Sequence, residues 1–147
     1  MPTRSEQDFL LAQLKAVAEA IARALGARPA GSAHLEDVDR ELAEAWQTLA
    51  GPLAPAVRHA DATTLAAVLG DPRRVLAAAE LVATRASLIA DDAARRADRA
   101  RAFALLEQAF SRDQQVPGGD ALLRALADVE PSLVPPSLAR RVAQLPA

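Results

Sequence analysis

A chain of 147 residues with 17 basic and 19 acidic side chains, net charge −2 and no cysteine excludes a disulfide framework and thiol chemistry. It also excludes a global field of the kind that recruits nucleic acid or anionic membranes. One domain covering residues 1–147 is expected, large enough to bury roughly two-thirds of its unfolded surface. About a quarter of the chain is Ala, so helices should approach closely over thin cores.

The N-terminus lacks the basic stretch and apolar run of a secretory signal. No segment approaches the ~20 apolar residues that span a bilayer. A cytoplasmic protein without a membrane partner is therefore expected.

The first segment, residues 5–25, carries Leu10, Leu14, Val17, Ala18, Ile21 and Leu25 at helical spacing, with Lys15, Glu19 and Arg23 on the other side. Ser5 with Asp8 reads as its start and Gly26 as its stop. A loop with Pro29 and Gly31 leads to a second helix over residues 33–50. Its stripe is Leu35, Val38, Leu42, Ala45, Trp46 and Leu49, bounded by Ser32 and by Gly51-Pro52. Two such stripes joined by a short loop predict an antiparallel pair.

Pro52 and Pro55 leave room for one turn of helix before Asp61 caps a short segment with Leu65, Val68 and Leu69, ended by Gly70. Asp71-Pro72 opens a fourth helix reaching residue 90, with Pro where its missing N–H is not needed. That helix is apolar on two sides. Val75, Ala79, Val82, Ala86 and Ile89 form one face, while Ala77, Leu81 and Leu88 fall nearly opposite. Either it is the central element of the domain, or Leu81 and Leu88 meet another copy in a homodimer.

Asp91-Asp92 precede a fifth helix, residues 93–112, with Ala102, Phe103, Leu106, Ala109 and Phe110 on one arc. After the loop Val116-Pro117-Gly118-Gly119, Asp120 is expected to cap a sixth helix with Leu122, Leu123, Leu126 and Val129, stopped by Pro131. A last helix, residues 137–145, presents Leu138, Val142 and Leu145. Alternating strand patterns are missing. The fold class is all-α: a compact bundle of six to seven helices.

Side chains suited to covalent or metal chemistry are scarce. His34 beside Glu36 and Asp37, and His59 beside Asp61, lack the i, i+4 spacing that places two ligands on one helix face, so no metal and no cofactor are expected. They read as a helix-start residue and a loop residue. Glu41 and Glu44 read as a wet face, and Trp46 as core. Gly118-Gly119 lacks the Lys-Ser/Thr of a phosphate loop.

The cluster Arg95, Arg96, Arg99 and Arg101, with Arg73 and Arg74 at the start of the fourth helix, is the candidate partner-binding site. At 100° per residue Arg95 and Arg99 continue the arc of Leu106 and Phe110, which turns them inward or onto a concave surface. An arginine-lined groove of Arg73, Arg74, Arg95, Arg96 and Arg99 would suit an acidic peptide, a phosphate or a carboxylate, because the guanidinium fork grips such groups at two points. The plain alternative pairs Asp91 and Asp92 with Arg95 and Arg96 at a solvated helix start. The cluster has no interleaved aromatics, which speaks against nucleic acid. A non-enzymatic protein-interaction module is the expectation, with structural homo-oligomerisation through Leu81 and Leu88 as the alternative.

The run Leu106-Glu107-Gln108-Ala109-Phe110 resembles the end of a tetratricopeptide helix, and residues 76–110 resemble a TPR-like helical hairpin. A second copy about 34 residues away is absent. Across most of the chain, Asp8-Phe9-Leu10, Leu69-Gly70, Ala79-Glu80-Leu81 and Leu106 to Phe110 are similar in order to an uncharacterised bacterial all-helical family, a domain of unknown function. That resemblance implies the helical architecture and carries no site residue.

Overall fold

The computed structural model describes residues 3–146, and among them the chain is helical with no strand. Its elements are α1 (Arg4–Ala27), α2 (Leu35–Ala50), a 3₁₀ turn (Gly51–Leu53), the single turn α3 (Ala54–Val57) and α4 (Ala62–Leu69). Then follow α5 (Pro72–Leu88), α6 (Asp92–Arg112), α7 (Gly119–Val129), a second 3₁₀ turn (Pro131–Leu133) and α8 (Pro136–Gln144).

Helix boundaries follow backbone hydrogen-bond supply. Thr3 caps α1 in a reciprocal box with Glu6, in place of Ser5 with Asp8, and the helix runs through Gly26. Ser32 bonds back to the carbonyl of Pro29, so α2 starts after His34 without a side-chain cap. Asp61, Asp71 and Asp91 each accept a backbone N–H at the start of α4, α5 and α6. Asp120 lies inside the first turn of α7, where Gly118 at φ 84° is the N-cap. Its carboxylate accepts from Arg141 Nε on α8 at 2.7 Å, and the Arg141 guanidinium lies 3.8 Å over the Phe110 ring.

The link from α5 to α6 is extended, and α5 ends at Leu88 because residues 31–33 take over its backbone groups. Gly31 N–H and Ala33 N–H donate to Ser87 and Leu88 carbonyls at 2.9 Å, and Ala90 N–H returns to Ala33 at 3.0 Å. Gly31 needs φ 71° for this approach.

Most of the buried residues form one hydrophobic cluster, and α5 is its axis. Ala77, Ala78 and Ala79 are too small to hold neighbours off, so α1, α2, α4, α6 and α7 all reach it. Leu81 and Leu88 are fully buried in this monomer, which removes them as an oligomer interface. Their stripe is apolar because α5 has neighbours on every side, a fact that one helix's periodicity does not disclose. Helices α5 and α6 form a hairpin, joined by a short link and tied by Arg85 and Asp98. No helix of the described residues is long and apolar enough to cross a membrane.

Candidate functional site

The expected arginine groove divides into separate places. Arg73 and Arg74 start α5, whereas Arg95, Arg96 and Arg99 lie on α6 near the other end of α5, roughly 20 Å away at 1.5 Å per residue. Arg95 and Arg99 do turn inward, and both are engaged. Arg95 donates Nη2 to the carbonyls of Ile89 and Ala90 at 3.1 and 3.4 Å, covering the end of α5, and lies 3.3 Å from Asp92. Arg99 donates to Glu130 at 2.8 Å, with the two side chains only 15% and 16% exposed. Arg96 is in solvent. The six-residue cluster is therefore not one groove, because α5 keeps its two ends a helix length apart.

At the Arg73 end, α1 and α5 enclose a cavity of about 420 Å³ lined by Ser5, Glu6, Gln7, Phe9, Leu10, Asp71, Arg73 and Arg74. Arg74 gives Nε and Nη2 to Gln13 Oε1 at 3.1 and 2.9 Å, a neutral acceptor that fixes the fork and leaves its charge uncompensated. Arg73 stands 3.6 Å from Asp71, whose carboxylate also caps α5 through the Arg73 N–H at 2.8 Å. Glu6 is held by the capping box of α1. Above this rim the Phe9 ring is 63% exposed. Two guanidinium groups and an open aromatic face thus share one hollow.

The most buried carboxylate, Asp98, lies elsewhere, where α2, α5 and α6 meet. Arg85 donates Nε and Nη2 to the Asp39 oxygens at 2.7 and 3.3 Å, and Nη1 to both Asp98 oxygens at 2.9 and 2.7 Å. Asp98 is 8% exposed. Arg101, one helical turn on, donates to the Ala60 carbonyl at 3.1 and 2.7 Å and so holds the segment between α3 and α4. A smaller cavity of about 200 Å³ opens beside them, lined also by Trp46, Arg58 and His59. Burial pushes the Asp98 carboxyl up, and its bonds to Arg85 pull it back only in part. Burial works against the Arg85 charge too, but the bonds to Asp39 and Asp98 more than offset it. For Arg101 burial prevails and lowers its pKa.

Periodicity carried a signal for this cluster. At 100° per residue Arg85 falls between the two apolar faces of α5 and Asp98 at the edge of the apolar arc of α6, where a charge that packing covers needs an opposite charge to answer it. Glu41, expected on a wet face, instead accepts from Arg28 Nε and Nη2 at 2.9 and 2.6 Å, while Glu44 is exposed. The described residues contain no group of three His, Cys, Asp or Glu side chains able to hold a metal.

One further carboxylate has a consequence for pH. Glu80, half-buried on α5 beside Gly118, has no hydrogen-bonded or ionic partner for its carboxylate among the described residues, and burial raises its pKa. The folded chain then holds this proton more tightly than the unfolded chain. Stability is lowest above the raised value and grows as pH falls through it towards the ordinary glutamate range. Glu80→Gln should therefore raise the urea midpoint at neutral pH and flatten that gain on mild acidification. Asp98, whose shift has the same sign, adds to the gain, and Asp61, held low by its bonds from Thr64, opposes it. An unchanged midpoint at neutral pH would mean that water reaches Glu80 freely.

Comparison of the chain with family models, with curated proteins and with solved structures gives no match.

Proposed function

We propose that this chain is a non-enzymatic helical interaction module that takes an acidic, partly apolar segment of a partner protein at the hollow between α1 and α5. One observation carries the reading: Arg73 and Arg74 border the same hollow as the exposed Phe9 ring. The fork of Arg74 is already oriented by Gln13, so little side-chain freedom is lost when a carboxylate docks. Phe9 supplies a neighbouring apolar surface, and large exposed aromatics are the residues that anchor interfaces. Helices α5 and α6, the hairpin that resembles a tetratricopeptide pair, serve as the rigid support. Arg95 and Arg99 hold the fold, and Arg96 stands apart.

The test uses a fluorescein-labelled peptide in which Glu and Leu alternate, titrated with the protein by fluorescence anisotropy. Binding should weaken as salt rises. Arg73→Gln combined with Arg74→Gln should abolish it with the helical circular dichroism intact. Phe9→Ser should weaken it at least several-fold without lowering the melting temperature, because the ring makes little contact with the core. Arg96→Gln should leave it unchanged. Binding that ignores salt, or that survives both the Arg73/Arg74 and the Phe9 changes, would reject the site.

A further inference from the structure

Helix α1 carries two apolar lines. Leu10, Val17, Ala20 and Ala24 face the bundle and are buried. A second line, Leu11, Leu14, Ala18, Ile21 and Leu25, repeats at alternating steps of three and four residues, the 3.5-residue period of helices that pair side by side. Leu14 and Ile21 pack partly against the bundle, whereas Leu11 is 54% exposed, Leu25 48% exposed, and Ala18 is in solvent between them. The bundle therefore covers one edge of this line and leaves the other open along the length of α1.

We propose that this line pairs with α1 of a second copy of the chain, antiparallel, about a two-fold axis at Ala18. The residues around Ala18 argue for a copy of the same chain as the occupant. Leu lies seven positions away on each side, so the two-fold sets Leu11 against the partner's Leu25 and Leu25 against the partner's Leu11. Ala18 meets the partner's Ala18 at the crossing, where a small side chain lets two backbones approach.

Charge complements the same register. Lys15 and Glu19 lie on one flank of the line, and a two-fold perpendicular to the helices brings equal flanks together. Lys15 then lies within about 3 Å, measured along the axis, of the partner's Glu19, and the pair recurs on the other side of the axis. Both are exposed, and neither Lys15 nor Glu19 has an ionic partner among the described residues of its own chain, so both are free to make this contact. A parallel pairing would turn that flank towards the body of the partner's bundle instead. Phe9 lies on the opposite side of α1, so the arginine hollow stays open and this inference stands independently of it.

The absence of cysteine makes the register directly readable. Under mild oxidation Ala18→Cys should form a disulfide-linked dimer by itself. An equimolar mixture of Leu11→Cys and Leu25→Cys should crosslink several-fold more than either variant alone. Sedimentation equilibrium should show concentration-dependent dimerisation of the native chain. Leu11→Glu combined with Leu25→Glu should remain monomeric at the same concentrations with its melting temperature preserved, because both positions are outside the core. A native chain that stays monomeric at high micromolar concentration overturns the proposal. So does Leu11→Cys crosslinking with itself in preference to Leu25→Cys.

Discussion

Arg85→Met is expected to destabilise the fold by about 3 kcal/mol, since removing one member of a buried ionic cluster leaves its partners charged and unpaired. Arg85 is the sole cation bonded to Asp39 and Asp98 among the described residues, and Asp98 has almost no access to water. Against a typical total stability of about 5–15 kcal/mol this is a large fraction. Arg85→Lys should recover only part of the loss, because a single ammonium cannot span two carboxylates as the planar fork does. Replacing the cluster together, with Arg85→Met, Asp39→Ala and Asp98→Leu, should recover most of it by abolishing the stranded charges. Urea titration followed by circular dichroism measures all three. A loss well under 1 kcal/mol for Arg85→Met would show that water solvates the carboxylates once the arginine is gone.

Leu81→Ala and Leu88→Ala should each lower stability by about 3 kcal/mol, through lost burial and the cavity left behind. Neither should change the oligomeric state measured by light scattering, since both side chains are enclosed by their own monomer. The contrast with the α1 line is direct. A change at Leu11 or Leu25 should alter association with little effect on stability, whereas a change at Leu81 or Leu88 should do the reverse. A dimer dissociated by Leu81→Ala at temperatures where the monomer stays folded would return the interface to α5.

Much of the helical order is readable from residue types at short range. The carboxylates of Asp61, Asp71 and Asp91 precede helices and cap them, and Pro72 sits where a helix tolerates its missing N–H. Gly51 and Gly70 end helices at positive φ. At two of the misplaced boundaries the expected cap has another partner. Ser32 had a nearer carbonyl at Pro29, and Asp120 was drawn to Arg141 on a helix far along the chain.

The candidate site was legible in part. Arg73 and Arg74 stand out by composition, but their neighbours Phe9 and Gln13 lie some 60 positions earlier and join them through the packing of α1 on α5. Arg95 and Arg99 point inward as the 100° step requires, yet the step could not tell a groove from a filled contact. The fillers, the carbonyls of Ile89 and Ala90 just beyond α5 and the carboxylate of Glu130, come from outside α6.

Spacing along the chain settles which stretches are helical and which face of each is apolar, because caps, prolines and the 3.6-residue repeat act over a single turn or two. It cannot settle which apolar face is covered and which charge is answered. Those depend on which helices come to lie side by side, and burial and ion pairing act between atoms that are close in space whatever their separation in the chain. Packing five helices around α5 enclosed Leu81 and Leu88, joined Arg85 to Asp39 and Asp98, and left the Leu11–Leu25 edge of α1 as the long apolar line still open to water.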